Sequence, residues 1–196
     1  MVIGPNIVLE RLFEKAKSMD RRFTVIVVDT CPTYQGRALL QRLSRAGIHC
    51  KYTLIQGIGS LIQETTKVFI GASYVLGNGG VVATMGTAMV AYLASQHKVP
   101  VIAFCETYKF TQRVNLDQIK NNELGDSREI THNHLLPFTE KEQDELLRQR
   151  NLTVRNLKYD FTDMKNISMI LCEIGKVSPV SVPVVVDEFN AEENDM

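Results

Sequence analysis

Apolar runs and amphipathic segments alternate along the first half of the chain. The run over 23–29 is β-branched and apolar on both faces, as a strand buried on both sides of a parallel sheet must be. The segment before it, 7–19, has apolar residues at helical spacing, and a second amphipathic segment opens at Gly36. Gly47 is placed to end this second helix as a left-handed cap residue. The pattern therefore predicts a helix, a strand and a further helix.

The same alternation continues beyond Gly47. The pattern predicts strands over 48–55, 67–76 and 99–105, and helices over 57–66 and 81–97. Strands and helices that alternate at this spacing are typical of right-handed crossovers and of a parallel sheet covered on both faces. We therefore predict a single α/β domain with a mostly parallel sheet and helices on both of its faces.

The second half of the chain is less regular. Residues 106–137 are polar and predict a long excursion over the surface. Thr139 and Glu142 have the spacing of a capping box, which predicts a short helix through Arg148. The remaining pattern predicts, in order, a strand over 153–161, a helix over 162–173 that Gly175 ends, a strand over 180–186 and a disordered acidic tail over 187–196.

Composition and charge exclude several classes of protein. The chain has 196 residues, of which 44% are hydrophobic and 22% charged, and this balance excludes a highly charged disordered chain. Lys plus Arg and Asp plus Glu each number 22, so the chain is formally neutral. A broad basic field that binds nucleic acid is thereby excluded, because such binding needs excess cations to displace phosphate counterions. The most apolar window, 81–94, is too short to span a membrane.

Cysteine usage is consistent with the reducing conditions of the cytoplasm. The cysteines lie far apart, without a C-x-x-C pair or a secretory signal: Cys31, Cys50, Cys105 and Cys172. Cys31 follows the predicted strand over 23–29, where a nucleophile could lie, yet no histidine is near it in the sequence. Inert packing is the ordinary role of such a thiol. We therefore expect a cytoplasmic protein.

Polar and glycine residues follow several predicted strands, at the edge where α/β sheets bind ligands. Gly77–Gly80 (Gly-Asn-Gly-Gly) stands between a predicted strand and a predicted helix, where its N–H groups could bind a phosphate. It lacks the G-x-G-x-x-G pattern and a following lysine, and a tight turn for close packing is the favoured alternative. Asp29 and Asp160 end strands and are candidates for a general acid or base, or for caps. His132 and His134 lack accompanying ligands, so no metal site is predicted.

One segment resembles a known family. Residues 70–87 read Ile-Gly-Ala-Ser-Tyr-Val-Leu-Gly-Asn-Gly-Gly-Val-Val-Ala-Thr-Met-Gly-Thr. This segment is similar to the family that joins methylthioribose-1-phosphate isomerase and ribose-bisphosphate isomerase to the regulatory subunits of translation initiation factor 2B. Residues 27–32 with 36–37 match the first strand and loop of that family. Further segments resemble the delta branch of these subunits: 105–110, 122–124, and 173–175 with 181–185.

This chain departs from the isomerases at the positions that carry their chemistry. Ser73 stands where they have a catalytic aspartate, and Ala83-Thr84 stand where they have a substrate-binding Asn-Lys pair. A serine is no carboxylic acid at neutral pH, and the lost lysine is the cation that would hold a phosphate. The resemblance therefore implies that the chain has no catalytic residue, cofactor or metal. What it leaves is a vestigial ligand pocket formed by Ser73, Asn78, Gly79 and Gly80.

The resemblance also implies a domain organisation. It runs from about residue 23 to residue 186 and implies a Rossmann-like fold for residues 21–186. Family members place a helical domain, which holds the Cys and Arg residues of the isomerases, before the Rossmann-like domain. Residues 1–20 are then expected to be the connecting helix at the end of that helical domain. The chain is expected to be the C-terminal domain of a longer subunit.

The resemblance implies a regulatory and scaffolding role without enzyme activity. The delta branch belongs to the guanine-nucleotide exchange complex that recycles initiation factor 2, and it helps to sense the phosphorylated alpha subunit of that factor. The implied partners are the beta, alpha, gamma and epsilon subunits, of which epsilon catalyses exchange. Tyr108, Phe110 and Leu157 are expected at subunit contacts, although Phe110 and Leu157 could equally fill the core. The alternatives are a sugar-phosphate or nucleotide binding domain and an active isomerase.

Overall fold

Seven strands form the main sheet of the computed structural model, which describes residues 1–114, 122–131 and 139–194. Across the sheet they are β11 (Gly175–Val177), β10 (Met169–Cys172), β7 (Val101–Phe104), β4 (Val68–Gly71), β1 (Val2–Ile3), β2 (Thr24–Asp29) and β3 (His49–Leu54). Neighbouring strands are parallel, except that β11 is antiparallel to β10. The predicted mostly parallel sheet is therefore confirmed.

Helices cover both faces of the main sheet. The α-helices are α1 (Ile7–Ser18), α2 (Gly36–Arg45), α3 (Ile58–Leu61), α4 (Thr87–Gln96), α5 (Arg128–Thr131), α6 (Glu140–Leu147) and α7 (Val182–Asn194). Side chains alternate along β2. Val27 lies in one core with Leu9 of α1, and Val28 lies in the opposite core with Val90 of α4. The predicted helices on both faces are confirmed, and α1 and α2 are the first two of them.

A second, four-stranded sheet is present that the sequence pattern does not predict. Its strands in order are β8 (Phe110–Thr111), β5 (Tyr74–Leu76), β6 (Val81–Thr84) and β9 (Tyr159–Thr162). Val75, Val81 and Ala83 of this sheet are buried in the same core as Val90 of α4. Because the two sheets share one core, the described residues form a single α/β domain.

The predicted strand over 67–76 consists of two strands in different sheets, β4 and β5. Ala72 donates its N–H to the carbonyl of Phe104 in the main sheet at 2.9 Å. Ser73, the next residue, donates its N–H to the carbonyl of Val82 in the second sheet at 2.8 Å. A continuous apolar pattern gives no sign of this change of partner, since both strands are largely buried.

The predicted helix over 81–97 is corrected, because its first residues form strand β6. The run over 81–84 is mostly β-branched and pairs antiparallel with both β5 and β9. Helix α4 begins at Thr87, after Gly86, whose φ of 96° lies in the left-handed region. A long apolar stretch fits a buried strand or a buried helix, and here the cross-strand partners decide.

The C-terminal third departs furthest from the sequence pattern. The predicted helix over 162–173 is wrong, because Asp163 caps only a single 3₁₀ turn and β10 follows it in the main sheet. The predicted strand over 180–186 is also wrong, because these residues lie in a 3₁₀ turn and the start of α7. Val182 and Val186 are both buried and lie one helical turn apart, so this valine-rich run has helical spacing.

Both ends of the chain contribute more structure than expected. Strand β1 lies at the centre of the main sheet, where it pairs with β2 and β4. Leu9 and Phe13 of α1 are buried in the core, so residues 1–20 are part of this domain and not only a connecting helix. The disordered tail expected over 187–196 is corrected as far as Asn194, where α7 ends.

Other elements follow the prediction in shorter form. The capping box is confirmed, since Thr139 and Glu142 each accept the backbone N–H of the other at the start of α6. The helix predicted over 57–66 is reduced to α3 between two 3₁₀ turns, and the strand predicted over 153–161 is reduced to β9. Within the predicted excursion over 106–137, the described residues include β8 and α5. No helix in the described ranges is long and apolar enough to cross a membrane.

Replacing Gly79 with alanine is expected to destabilise the domain strongly. Gly79 has a φ of 77°, and a Cβ there would overlap the carbonyl oxygen of Pro179. Gly47 is the matched control, because its φ is 72° and a Cβ there meets nothing within 4 Å. Left-handed backbone costs alanine about 1–2 kcal/mol, so Gly47→Ala measures that cost alone.

Unfolding in urea measures the difference between the two variants. We expect Gly79→Ala to lower the free energy of unfolding by at least about 2 kcal/mol more than Gly47→Ala, because backbone must move to relieve the overlap. Equal losses for the two variants would show that the contact with Pro179 does not constrain the turn.

Candidate functional site

A cavity of about 770 Å³ lies against the second sheet. Its lining comes from all four strands of that sheet, from the turn before β8, and from Asn122 and Glu123. It contains Ser73, Tyr108 and Phe110, three of the residues singled out from the sequence. Two of its lining segments leave the carboxyl ends of β4 and β7, where α/β sheets bind ligands. We therefore take this cavity as the candidate site.

The turn that precedes β8 is fixed by charged side chains. Lys109 pairs with Glu106 at 2.6 Å, and this hydrogen bond raises the pKa of Lys109 and lowers that of Glu106. Thr107 donates its N–H at 2.9 Å to Glu173, which follows β10. The hydrogen bonds from Thr107 lower the pKa of Glu173. The turn is thereby tied to the main sheet, while its Tyr108 side chain is 78% exposed.

A short segment outside the sheets lines one part of the cavity. The side-chain N–H of Asn122 donates to the carbonyl of Tyr159 at 2.6 Å, and its side-chain oxygen accepts the N–H of Tyr159 at 3.1 Å. Next to it, Glu123 and Lys158 form an ion pair at 2.5 Å. The sequence pattern alone does not reveal this role of Asn122, and the only signal is that 122–124 carries part of the family resemblance.

The three residues expected at subunit contacts differ in exposure. Tyr108 reaches solvent, whereas Phe110 is half-buried and packs against the core beneath α4. Leu157 is half-buried and forms an isolated β-bridge with Leu124 beside the cavity. Phe110 therefore contributes to the core, which was one of its two alternatives, and Tyr108 is the most accessible of the three to a partner.

Asp160, a candidate acid or base, is used as a helix cap. Its carboxylate accepts the backbone N–H groups of Gly86 and Ala88, each at 3.0 Å, at the start of α4. Burial raises the pKa of Asp160, although these hydrogen bonds favour its charged form. The presence of this carboxylate in the cavity lining is therefore explained by the helix that it caps.

Asp29, the other candidate acid or base, organises the loop after β2. Its carboxylate accepts the N–H of Gly36 at 2.9 Å and the hydroxyl of Tyr52 at 2.8 Å. Arg37 forms a hydrogen bond with Tyr52 that raises the pKa of Arg37. Cys31 lies in the same loop and is exposed. The hydrogen bonds give Asp29 the capping role that was one of its two alternatives.

The glycine-rich segment over 77–80 is a hairpin turn. It connects β5 to β6, so its predicted position before a helix is wrong. The Asn78 side chain accepts the N–H of Gly80 at 3.2 Å. A Cβ at Gly80 would overlap the ring of Phe161, so glycine serves close packing here, as it does at Gly79.

The residues expected to form a vestigial pocket lie at two places. Ser73 lines the cavity, whereas Asn78, Gly79 and Gly80 belong to the hairpin turn and are not among its lining residues. Ala83 is buried and Thr84 is half-buried. The family resemblance predicts that these two residues replace the isomerases' Asn-Lys pair.

The cavity offers little free positive charge to a phosphate. Of the cations in its described lining, Lys109 pairs with Glu106, and Arg113 is exposed. The acidic residues Glu123 and Asp160 line it as well. Phosphate sites bring cations together around the anion, so this arrangement does not favour a phosphate.

Metal binding finds no support in the described part of the chain. No group of three or more His, Cys, Asp or Glu side chains within it could hold a metal ion. His132 and His134 lie outside the described residues.

The chain is similar to proteins of one family. The model of the initiation factor 2 subunit family matches residues 1–179. Translation initiation factor eIF2B subunit delta of Dictyostelium discoideum is 37% identical over 190 residues, which cover 94% of this chain and 30% of that protein. Ribose 1,5-bisphosphate isomerase of Pyrococcus furiosus is 30% identical over 183 residues, which cover 93% of this chain and 52% of that enzyme.

A solved structure has the same fold. A chain of the tetrameric eIF2B-beta2-delta2 complex from C. thermophilum matches with a TM-score of 0.71 and 26% identity, over 86% of this chain and 48% of that chain. The protein described here thus spans about a third to about half of the length of these relatives. The comparisons confirm the family resemblance drawn from residues 70–87.

Replacing Asp160 with asparagine is expected to change how stability depends on pH. Because the pKa of Asp160 is raised in the folded state, the folded protein holds more protons than the unfolded chain between the ordinary carboxyl pKa and the raised one. The contribution of Asp160 to the free energy of unfolding therefore falls as the pH rises through that window, which begins near pH about 4.

Urea unfolding of both proteins at about pH 4 and about pH 7 measures this effect. We expect the wild-type protein to lose stability relative to Asp160→Asn as the pH rises between these values. The variant lacks the titrating carboxylate but shares every other ionisable group. The difference in stability between the two proteins therefore isolates the effect of Asp160. A difference that stays constant, or that changes in the opposite direction, would contradict the raised pKa of Asp160.

Proposed function

Because the chain belongs to the initiation factor 2 subunit family, we propose that it is a delta-type regulatory and scaffolding domain of the cytoplasmic guanine-nucleotide exchange complex for initiation factor 2. The 37% identity with a delta subunit supports this role. So does the likeness to a chain of a complex of beta and delta subunits. The proposed partners are the beta, alpha, gamma and epsilon subunits, and initiation factor 2 with its phosphorylated alpha subunit.

The surface around the cavity is the observation that carries this proposal. Four side chains in or next to its lining are apolar and well exposed, and we call them the cavity rim: Tyr74, Tyr108, Val114 and Leu124. Two ion pairs lie beside them, Lys109 with Glu106 and Lys158 with Glu123. Interface cores are rich in aromatic side chains and poor in charge. The cavity rim is therefore the proposed contact surface for the beta subunit.

We further propose that the domain does not catalyse the isomerisation of a sugar phosphate. Ser73 lines the cavity at the position where the isomerases have their aspartate. The buried carboxylate of Asp160 is already hydrogen-bonded to the start of α4. Neither residue is therefore placed to act as a general acid on a ligand in the cavity.

A second candidate function is the binding of a sugar phosphate or nucleotide in the cavity. Two observations favour it. A relative of the chain is an isomerase of a sugar bisphosphate, and Arg113 is an exposed cation in the cavity lining. The ion pair of Lys109 with Glu106 speaks against it, because it leaves less charge for a phosphate.

Replacing Tyr108 with alanine is expected to weaken binding to the beta subunit and to leave the fold intact. Tyr108 is 78% exposed, so its truncation removes little from the core. A tyrosine at the centre of an interface contributes about 2 kcal/mol or more, so we expect the affinity to fall at least about tenfold. Titration calorimetry with purified beta subunit measures the change, and urea unfolding checks the fold.

Tyr92→Ala is the matched control for this experiment. Tyr92 is also a well-exposed tyrosine, at 55%, but it lies on α4 and outside the cavity lining. We expect the Tyr92→Ala variant to bind the beta subunit as tightly as the unchanged chain. Equal losses for both variants, or no loss for either, would contradict the role of the cavity rim. An unchanged chain that does not co-purify with the beta subunit would contradict the proposed function itself.

Calorimetric titration with ribose 1,5-bisphosphate, ribose 5-phosphate and a nucleoside monophosphate tests the second candidate. Since Lys109 is paired and Thr84 replaces the lysine of the isomerases, we expect no heat of binding at micromolar affinity and no turnover. Binding in the micromolar range that Arg113→Ala removes would favour the second candidate. Lys98→Ala, which removes a cation outside the cavity lining, is the control.

A further inference from the structure

The cysteines are far apart in the sequence, yet the fold places two of them side by side. Strands β7 and β10 are parallel, and Phe104 stands opposite Leu171 in their register. One residue farther along both strands, Cys105 stands opposite Cys172. The ladder continues to this point, because the N–H of Cys105 donates to the carbonyl of Leu171 at 3.1 Å.

The two thiols lie on the same face of the sheet. Phe104 and Leu171 pack in the core beneath α1, whereas Cys105 and Cys172 pack in the core beneath α4. Neighbouring strands lie about 4.8 Å apart, and a disulfide joins Cα atoms that are about 4.4–6.8 Å apart. The register therefore places the two backbones within the Cα range of a disulfide. To form it, the thiols must turn away from their present acceptors, the carbonyls of Glu106 and Gly175.

We propose that Cys105 and Cys172 form a site of reversible oxidation, at which a peroxide converts the two thiols into one cross-strand disulfide. The thiols differ in their access to solvent. Cys105 is 5% exposed, whereas Cys172 is half-buried at the end of its strand. A small oxidant therefore reaches Cys172 first. This site is separate from the proposed assembly function and does not depend on it.

The reaction has two steps. The thiolate of Cys172 attacks one oxygen of hydrogen peroxide, so that an S–O bond forms, the O–O bond breaks and the hydroxide takes a proton to leave as water. The thiolate of Cys105 then attacks the sulfenic sulfur, so that the S–S bond forms, the S–O bond breaks and the departing hydroxide takes a proton from solvent to leave as a second water. Two thiols are oxidised and one peroxide is reduced. A thiol reductant reverses the change by exchange.

Burial makes this oxidation slow at neutral pH. Desolvation raises the pKa of Cys105 to about 12 and raises that of Cys172 as well, and the thiolate is the reacting form. Of the charged neighbours of Cys105, Lys109 lowers its pKa, while Glu106 and Glu173 raise it. Glu173 also raises the pKa of Cys172. We expect the rate of disulfide formation to increase as the pH rises, because the thiolate fraction increases.

The location of the pair links it to the candidate site. Cys105 is the residue before the turn that carries Tyr108, and Cys172 is the residue before Glu173, which holds that turn through Thr107. A disulfide would add a covalent tie at the point where a hydrogen bond already joins the two segments. Oxidation therefore restrains the start of the turn without adding a group to the cavity.

The test uses the whole chain with Cys31→Ser and Cys50→Ser, so that only the pair remains. The protein is treated with hydrogen peroxide, unfolded in the presence of N-ethylmaleimide and weighed by intact mass spectrometry, which counts the free thiols. We expect two alkylated thiols before treatment, none after it, and two again after dithiothreitol. The rate of loss should be higher at pH about 9 than at pH about 7.

Three further measurements decide the outcome. Adding Cys105→Ser or Cys172→Ser should abolish the intramolecular disulfide, and circular dichroism should show that each variant folds. Peptide mapping of the unchanged, oxidised chain should find a disulfide between the peptides of β7 and β10, a result that does not depend on any variant. Mass gain by oxygen without this linkage, disulfides only between chains, or two free thiols after prolonged treatment with excess peroxide at pH about 9 would each overturn the proposal.

Discussion

Two consecutive backbone N–H groups determine where the candidate site of this protein lies. After β4, Ala72 donates to the main sheet and Ser73 donates to the second sheet, so the chain changes sheets within one residue. A buried N–H must find an acceptor, and the carbonyl of Val82 supplies one at this point. The hairpin turn over 77–80, the cavity and the start of α4 all follow from this change of sheet. Ser73 faces the cavity for the same reason.

Local periodicity predicts the helices and strands that are determined by their own residues. It fails where pairing with a distant strand determines the secondary structure. The strand over 24–29 and the helix after it follow directly from their apolar patterns. The run over 81–84 fits a buried helix as well as a buried strand, and it becomes a strand because residues 159–162 pair with it. No pattern within 81–97 indicates that a strand so far along the chain will pair with this run.

Some residues of the candidate site could be predicted from the sequence, but their arrangement in space could not. Ser73 and Tyr108 are identified by the family resemblance, and both line the cavity. The sequence leaves Asp160 open between an acid and a cap, because nothing local shows that its carboxylate reaches the start of a helix 72 residues away. Asn122 lies in a segment that carries the family resemblance, but its role is found only in the structure, where its side chain forms two hydrogen bonds with the backbone of Tyr159.

Because Asp160 caps α4 from far along the chain, the order of synthesis matters for folding. Strands β1, β2, β3, β4 and β7 are all available once residue 104 has been made, whereas the first turn of α4 obtains its acceptor only with residue 160. Strand β6 likewise obtains one of its two neighbouring strands only when β9 has been made. The cap of α4 and one edge of β6 are therefore completed only after most strands of the main sheet have been made, although the buried face of α4 already has its partners in β4 and β7.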